Sequence, residues 1–258
     1  YPPQLVTLAT VFAEQEHTHN ATMRQRLARW YWAIALSESY SASTETKIAR
    51  DVPELMAWLR ESDKPAPRTL EEALFRADRL DTLRTRISSA YRAVQNLLIR
   101  QGCRDFKSGK EFGLMTTYKE PIDVHHVFPE KWCKDRGIAP AIYNSILNKT
   151  PLSAESNRSI GGDAPSKYLT RLQSGSMEPG LDGSYGSATM DVILRSHLID
   201  PEKLRADDFY GFLAQRKVAL VGLIATTMGR EVVMDKQGGP DDMASIHDVK
   251  TLAGEASS

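Results

Sequence analysis

Apolar residues recur at helical spacing through almost the whole of the first 102 residues. Leu5, Leu8, Val11 and Phe12 make one stripe, and Leu27, Trp30, Tyr31, Ile34 and Ala35 a second. Ile48, Val52, Leu55, Met56 and Leu59 make a third, and from Thr69 a fourth runs through Leu74, Leu80 and Leu83. Ile87, Tyr91, Val94, Leu97 and Leu98 make a fifth, closed by Gly102. A period of 3.6 cannot keep one face buried on a strand, so this stretch reads as an all-helical unit. Its breaks are a Ser/Thr-rich segment at 37–46 and a two-proline turn at 64–67. Pro53 is read as lying near a helix start, where proline is tolerated, and Pro2-Pro3 as extended.

The 258 residues are enough for one large domain or two small ones. Lys plus Arg and Asp plus Glu are both 33, which excludes a uniformly basic nucleic-acid coat, so any such surface is local. Two cysteines, Cys103 and Cys133, build neither a disulfide framework nor a zinc knuckle, and a reducing cytoplasm fits them. No stretch approaches the roughly 20 apolar residues of a membrane span, so no membrane is expected. The start at Tyr1, without methionine, is what an excised module of a longer chain would show.

The pattern changes near residue 103. Between Phe106 and Pro151 the apolar pieces are short and broken by prolines and glycines, and 122–128 reads as a strand around two histidines. Alternation along Asp123-Val124-His125-His126 puts Asp123 and His125 on one face and His126 on the other. Imidazole titrates near neutrality, so one histidine can take a proton from water while its neighbour holds a cation. The histidine pair alone is weak evidence, and on the dipeptide a structural role is favoured.

The segment that follows raises the odds. Asn144-Ser-Ile-Leu-Asn148-Lys-Thr-Pro-Leu-Ser153 leads to a second Asn at 157, nine residues after Asn148. An Asp-x-His-His-x-x-Pro strand followed by this pair resembles the His-Asn-Asn form of the HNH nuclease motif. Arg29-Trp-Tyr-Trp32, Tyr40-Ser-x-Ser-Thr44, Leu97-Leu-x-x-x-Gly102-x-x-Asp105-Phe and Phe212-x-x-x-Arg216 extend the likeness over about residues 20 to 230. Together they resemble the C-terminal half of GmrSD-type and SspE-type DNA-restriction proteins, in which a nucleotide-hydrolysing domain lies upstream.

The resemblance implies a mainly α fold in which a helical scaffold encloses a small ββα-metal unit. The expected divisions are scaffold 1–105, nuclease motif 106–172, a loop and helices 173–235 packing on the scaffold, and a flexible tail 236–258. It implies His126 as the general base and Asn148 as the residue bracing the loop that aims it. His125 and Asn157 match metal-ligand positions, and Asp123 is a further candidate ligand. The gap of 22 residues from His126 to Asn148 is long for the motif, so 131–143 must loop out as a short helix. Asn144 is therefore a rival for the bracing role. Imidazole, amide and carboxylate oxygens with open positions suit Mg²⁺ best, with Mn²⁺ or Ni²⁺ as alternatives.

Seven positive residues against Asp105 alone, between Arg84 and Lys110, offer a local surface for DNA, though a solvated helix face accounts for such a run equally well. Arg104 and Lys107 of this run, with Arg158, Lys149 and Lys167 nearer the motif, are the expected phosphate contacts, Arg158 first among them. The resulting expectation is a cytoplasmic, metal-dependent HNH endonuclease domain of a restriction or anti-phage system, nicking DNA and governed by an upstream domain. The competing expectation is a DNA-binding or interaction module of the same fold without activity. Trp30, Tyr31, Trp32 and His197 read as core, His17 and His19 as exposed, and both thiols as idle.

Overall fold

A computed structural model of the chain describes residues 2–14, 20–61, 63–113, 122–174 and 187–234. Most of the loop expected at the start of 173–235 lies outside the described residues, as do His17, His19 and the tail 236–258. The fold is mainly helical, with one two-stranded antiparallel sheet among the described residues. In chain order the helices are α1 (Pro2–Glu14), α2 (Ala21–Ser37), α3 (Thr44–Arg60), α4 (Arg68–Glu72), α5 (Arg79–Thr82) and α6 (Ser89–Arg100). Strand β1 (Asp123–His126) follows, then α7 (Glu130–Lys134), α8 (Pro140–Tyr143) and strand β2 (Lys149–Leu152). After β2 come α9 (Ala154–Ile160), α10 (Pro165–Ser174), α11 (Ser187–Ser196), α12 (Pro201–Arg205) and α13 (Phe209–Met228).

The helix starts carry the expected chemistry. Asn20, Ser88 and Ser153 each accept a backbone N–H three residues on, satisfying donors that a helix leaves unpaired at its first turn. Gly102 follows α6 at φ +79°, a left-handed conformation that glycine adopts without cost.

Three local readings are corrected. Pro2 and Pro3 are not extended but open α1, because the first helical turn needs no N–H donors. Pro53 lies inside α3, not near its start. Both Pro53 and Ala49, whose carbonyl loses its partner there, are exposed, so water can take up the orphaned acceptor. The stretch from Thr69 to Leu83 is two short helices rather than one, and Leu74 faces solvent.

Two hydrophobic cores form. The first gathers Trp30, Ile34, Tyr40, Leu55, Leu97 and Leu98 between α2, α3 and α6. At its centre the fully buried Asp51 accepts hydrogen bonds from Trp30 Nε1 (3.2 Å), Tyr40 Oη (2.6 Å) and Thr69 Oγ1 (2.6 Å). The second gathers Phe128, Trp132, Tyr168, Leu194, Phe209 and Phe212 under the sheet. Helix α13 serves both: Phe209 and Phe212 enter the second core, and Leu220, Ile224 and Met228 enter the first. Among the described residues no helix is long and apolar enough to cross a membrane.

Candidate functional site

Strand β1 pairs antiparallel with β2, and the register sets Asp123 against Leu152, Val124 against Pro151, His125 against Thr150 and His126 against Lys149. Ser153 then caps α9, which carries Asn157. The order is strand, strand, helix, with α7 and α8 filling the long connection as two short helices rather than one. The side chain of Asp123 lies outside the described residues.

Asn148 is completely buried and grips the end of β1 from the side. Its Oδ1 accepts from Phe128 N (2.8 Å), and its Nδ2 donates to Phe128 O and Tyr143 O (both 3.0 Å). From below, the Phe128 ring packs on Trp132, Phe209 and Phe212, with centroids 4.9 to 5.2 Å away. The backbone that follows His126 is thus held by polar and apolar contacts at once.

Asn144 plays a different part. Its Oδ1 lies 2.9 Å from His126 Nε2. An amide oxygen can only accept, so Nε2 carries the proton and Nδ1 keeps a lone pair. Tyr143 sets its ring edge against the same imidazole, at a centroid distance of 6.0 Å. The two asparagines that compete for one role in the sequence therefore touch different things: Asn148 the backbone, Asn144 the ring.

Burial biases both imidazoles toward the neutral form. Burial pushes His125 down to about 4, and the neighbouring His126 and Arg86 charges add to the effect. Burial also lowers His126, opposed by its bond to Asn144 and reinforced by Lys149. Lys149 is itself lowered, by burial and by Arg86, and its Nζ donates to Arg84 O (3.0 Å). A neutral His125 offers a lone pair to a cation. Asn157, half-buried on α9, carries a second neutral donor by type, an amide oxygen of the kind that hard ions accept. Among the described residues no three His, Cys, Asp or Glu side chains converge.

Three further residues hold the site from behind. Asp105, buried, accepts at Oδ1 from Ser153 N (2.9 Å) and at Oδ2 from Ser156 Oγ (2.7 Å), tying down the start of α9 one turn before Asn157. Burial raises its pKa, but the hydrogen bonds from Ser153, Ser108 and Ser156 outweigh it and hold the carboxyl below the usual range. Arg216, fully buried on α13, donates to Leu147 O (2.8 Å) and Lys149 O (2.9 Å), the carbonyls on either side of Asn148. Burial pushes its guanidinium down to about 9.

His197 supports β2 from its other side. Its Nε2 donates to Arg104 O (2.6 Å), so Nδ1 accepts from Thr150 Oγ1 (2.7 Å). Burial pushes its pKa down to about 4. A histidine neutral in the fold and ordinary when unfolded binds its proton only on unfolding, between about 4 and 6.5. Its contribution to stability is whole above pH 6.5 and falls with pH, by about 2 kcal/mol at pH 5 and about 3 kcal/mol at pH 4. His197→Gln, whose amide can make both bonds, is expected to lose about 2 kcal/mol less than wild type between pH 7.5 and pH 5 in urea melts. Equal losses in the two proteins would overturn this account.

The expected phosphate contacts divide. Arg158 and Lys167 are exposed, and Lys149 is half-buried beside His126. Arg104 and Lys107 are engaged within the protein, with Glu111 (2.7 Å) and Glu155 (2.6 Å). Cys103 and Cys133 are buried, and burial pushes both thiols up to about 12, which leaves them inert.

No protein-family model matches the chain. Over 206 residues it is 29% identical to an uncharacterised protein of Methanocaldococcus jannaschii, an alignment that covers 78% of this chain and 34% of that protein. The chain thus spans about a third of the length of the curated relative it matches.

Proposed function

We propose that this chain is a divalent-metal-dependent DNA endonuclease domain of the HNH type, cutting one strand per encounter, in a restriction or anti-phage system. The observation that carries the reading is His126: a neutral imidazole with Nε2 bound to Asn144, on a strand end braced by Asn148. That arrangement leaves Nδ1 as the acceptor for a proton of water attacking a phosphodiester. Asn148 keeps the base in register, and Asp105 steadies the helix that carries Asn157. His125 and Asn157, with Asp123, would hold the ion. When bound, the ion would stabilise the charge developing on the phosphate and the leaving 3′ oxygen. Lys149 and Arg86 beside the histidines, and Arg158 on α9, supply positive charge for the DNA backbone. An upstream nucleotide-hydrolysing domain would choose the target.

The test is relaxation of supercoiled plasmid by the purified chain. Open circles are expected with Mg²⁺ or Mn²⁺ and none with EDTA. DNA that is bound but left intact with every divalent ion would replace this reading with a non-catalytic DNA-binding module.

A further inference from the structure

We propose that DNA bound at the histidine pair runs along the outer surface of α2 and α6, from Lys149 and Arg86 past Arg92 to Arg100 and Trp32. The inference rests on the nuclease reading above and names the path that reading leaves open.

Helices α2 and α6 pack on each other and together carry five arginines and no acidic residue, in a chain whose charges balance at 33 and 33. Arg26 is turned away, donating to Trp58 O and Glu61 O, and Arg29 donates to Met228 O (3.0 Å) and Gly229 O (3.3 Å). Arg24, Arg29, Arg92 and Arg100 are exposed. Glu38, which caps the end of α2, is neutralised by Arg79 at 2.6 Å. Neither helix therefore carries an acidic residue of its own to set against these arginines.

The strip is continuous with the site. Lys149, paired with His126 across the sheet, donates from Nζ to Arg84 O (3.0 Å), two residues before Arg86. Arg92 Nε donates to Arg86 O, and Lys149 Nζ lies 5.8 Å from the ring of Tyr91 on α6. From there Arg92 and Asn96 face Tyr31 and Trp32 across a narrow furrow. Trp32 also lines a cleft of about 610 Å³, whose lining among the described residues includes Arg24, Arg29, Arg100 and Thr226 and no acidic residue.

Geometry and chemistry both suit a phosphate backbone. Arg92 and Arg100 stand eight residues apart on one helix face, about 12 Å, which matches three to four base steps at about 3.4 Å per step. The Arg100 guanidinium lies over Trp32 at 5.7 Å, an arrangement that keeps it flat and leaves its N–H edge for a phosphate oxygen. By contrast Arg104 and Lys107, at the other end of the basic run, are already paired with Glu111 and Glu155.

The experiment is fluorescence anisotropy of a labelled duplex with the whole chain in EDTA, across a salt series. Arg92→Gln with Arg100→Gln is compared with Arg104→Gln with Lys107→Gln, each checked by thermal melting. Each lost phosphate contact flattens the plot of log affinity against log salt by about 1 and weakens binding about tenfold at 0.1 M salt. The first pair is expected to show about twice that, and the second pair almost none. If wild type binds and nicks DNA while the first pair changes neither slope nor affinity, the path is wrong and the nuclease reading stands. If wild type binds no DNA, or prefers an acidic peptide to it, both fall.

Discussion

His126→Ala is expected to slow metal-dependent nicking by about 10³-fold, within the range for losing a positioned general base. The ring is half-buried and makes one side-chain hydrogen bond among those described, to Asn144, so its removal should cost about 1 kcal/mol of stability. The loss is therefore chemical rather than structural, and a thermal melt beside the plasmid time course separates the two. Asn144→Ala should fall between: the imidazole remains, but nothing fixes the proton on Nε2, so part of the population presents the wrong nitrogen to water. A His126→Ala protein that nicks at the wild-type rate removes the base from the mechanism.

Asn148→Ala is expected to destabilise the fold by about 4 kcal/mol, because it strands three buried groups at once: the N–H and C=O of Phe128 and the C=O of Tyr143. In a chain of this size that is roughly 10 °C in Tm. Asn148→Asp should be comparably harmful despite its near-identical shape, since a carboxylate cannot donate and would face two carbonyl oxygens. Asn157→Ala, on the half-exposed surface of α9, should cost under about 1 kcal/mol while abolishing cleavage. The contrast between the two asparagines is readable in one set of urea melts and plasmid assays. If Asn148→Ala melts with the wild type, the brace is not what holds the end of β1.

The helices of the scaffold were legible because burial repeats along them: Trp30 and Ile34 lie four apart on α2 and both are fully buried. The histidine strand was legible too, as a short run bounded by proline. What escaped was set by contacts between distant segments. Asp105 stands in the sequence as the lone acid among basic residues and as one position of the resemblance, with no role attached, and its partners Ser153 and Ser156 are 48 and 51 residues away. Arg216 reaches carbonyls 67 and 69 residues back, and a backbone acceptor leaves no mark in sequence. The separate duties of Asn144 and Asn148 depend on how α7 and α8 fold back over β1. Proline inside α3 was misread because tolerance depends on whether water reaches the freed carbonyl, which is a property of the finished surface.

Helix α13 threads both cores along one stripe, with Phe209 and Phe212 at one end, Met228 at the other and Arg216 between them. The strands and α9 cannot be lifted out as a cassette. Cut away from α13, the sheet would lose the floor beneath Phe128 and the arginine that spans Asn148. The smallest unit of this chain that keeps both supports under the histidine strand therefore reaches at least as far as Met228.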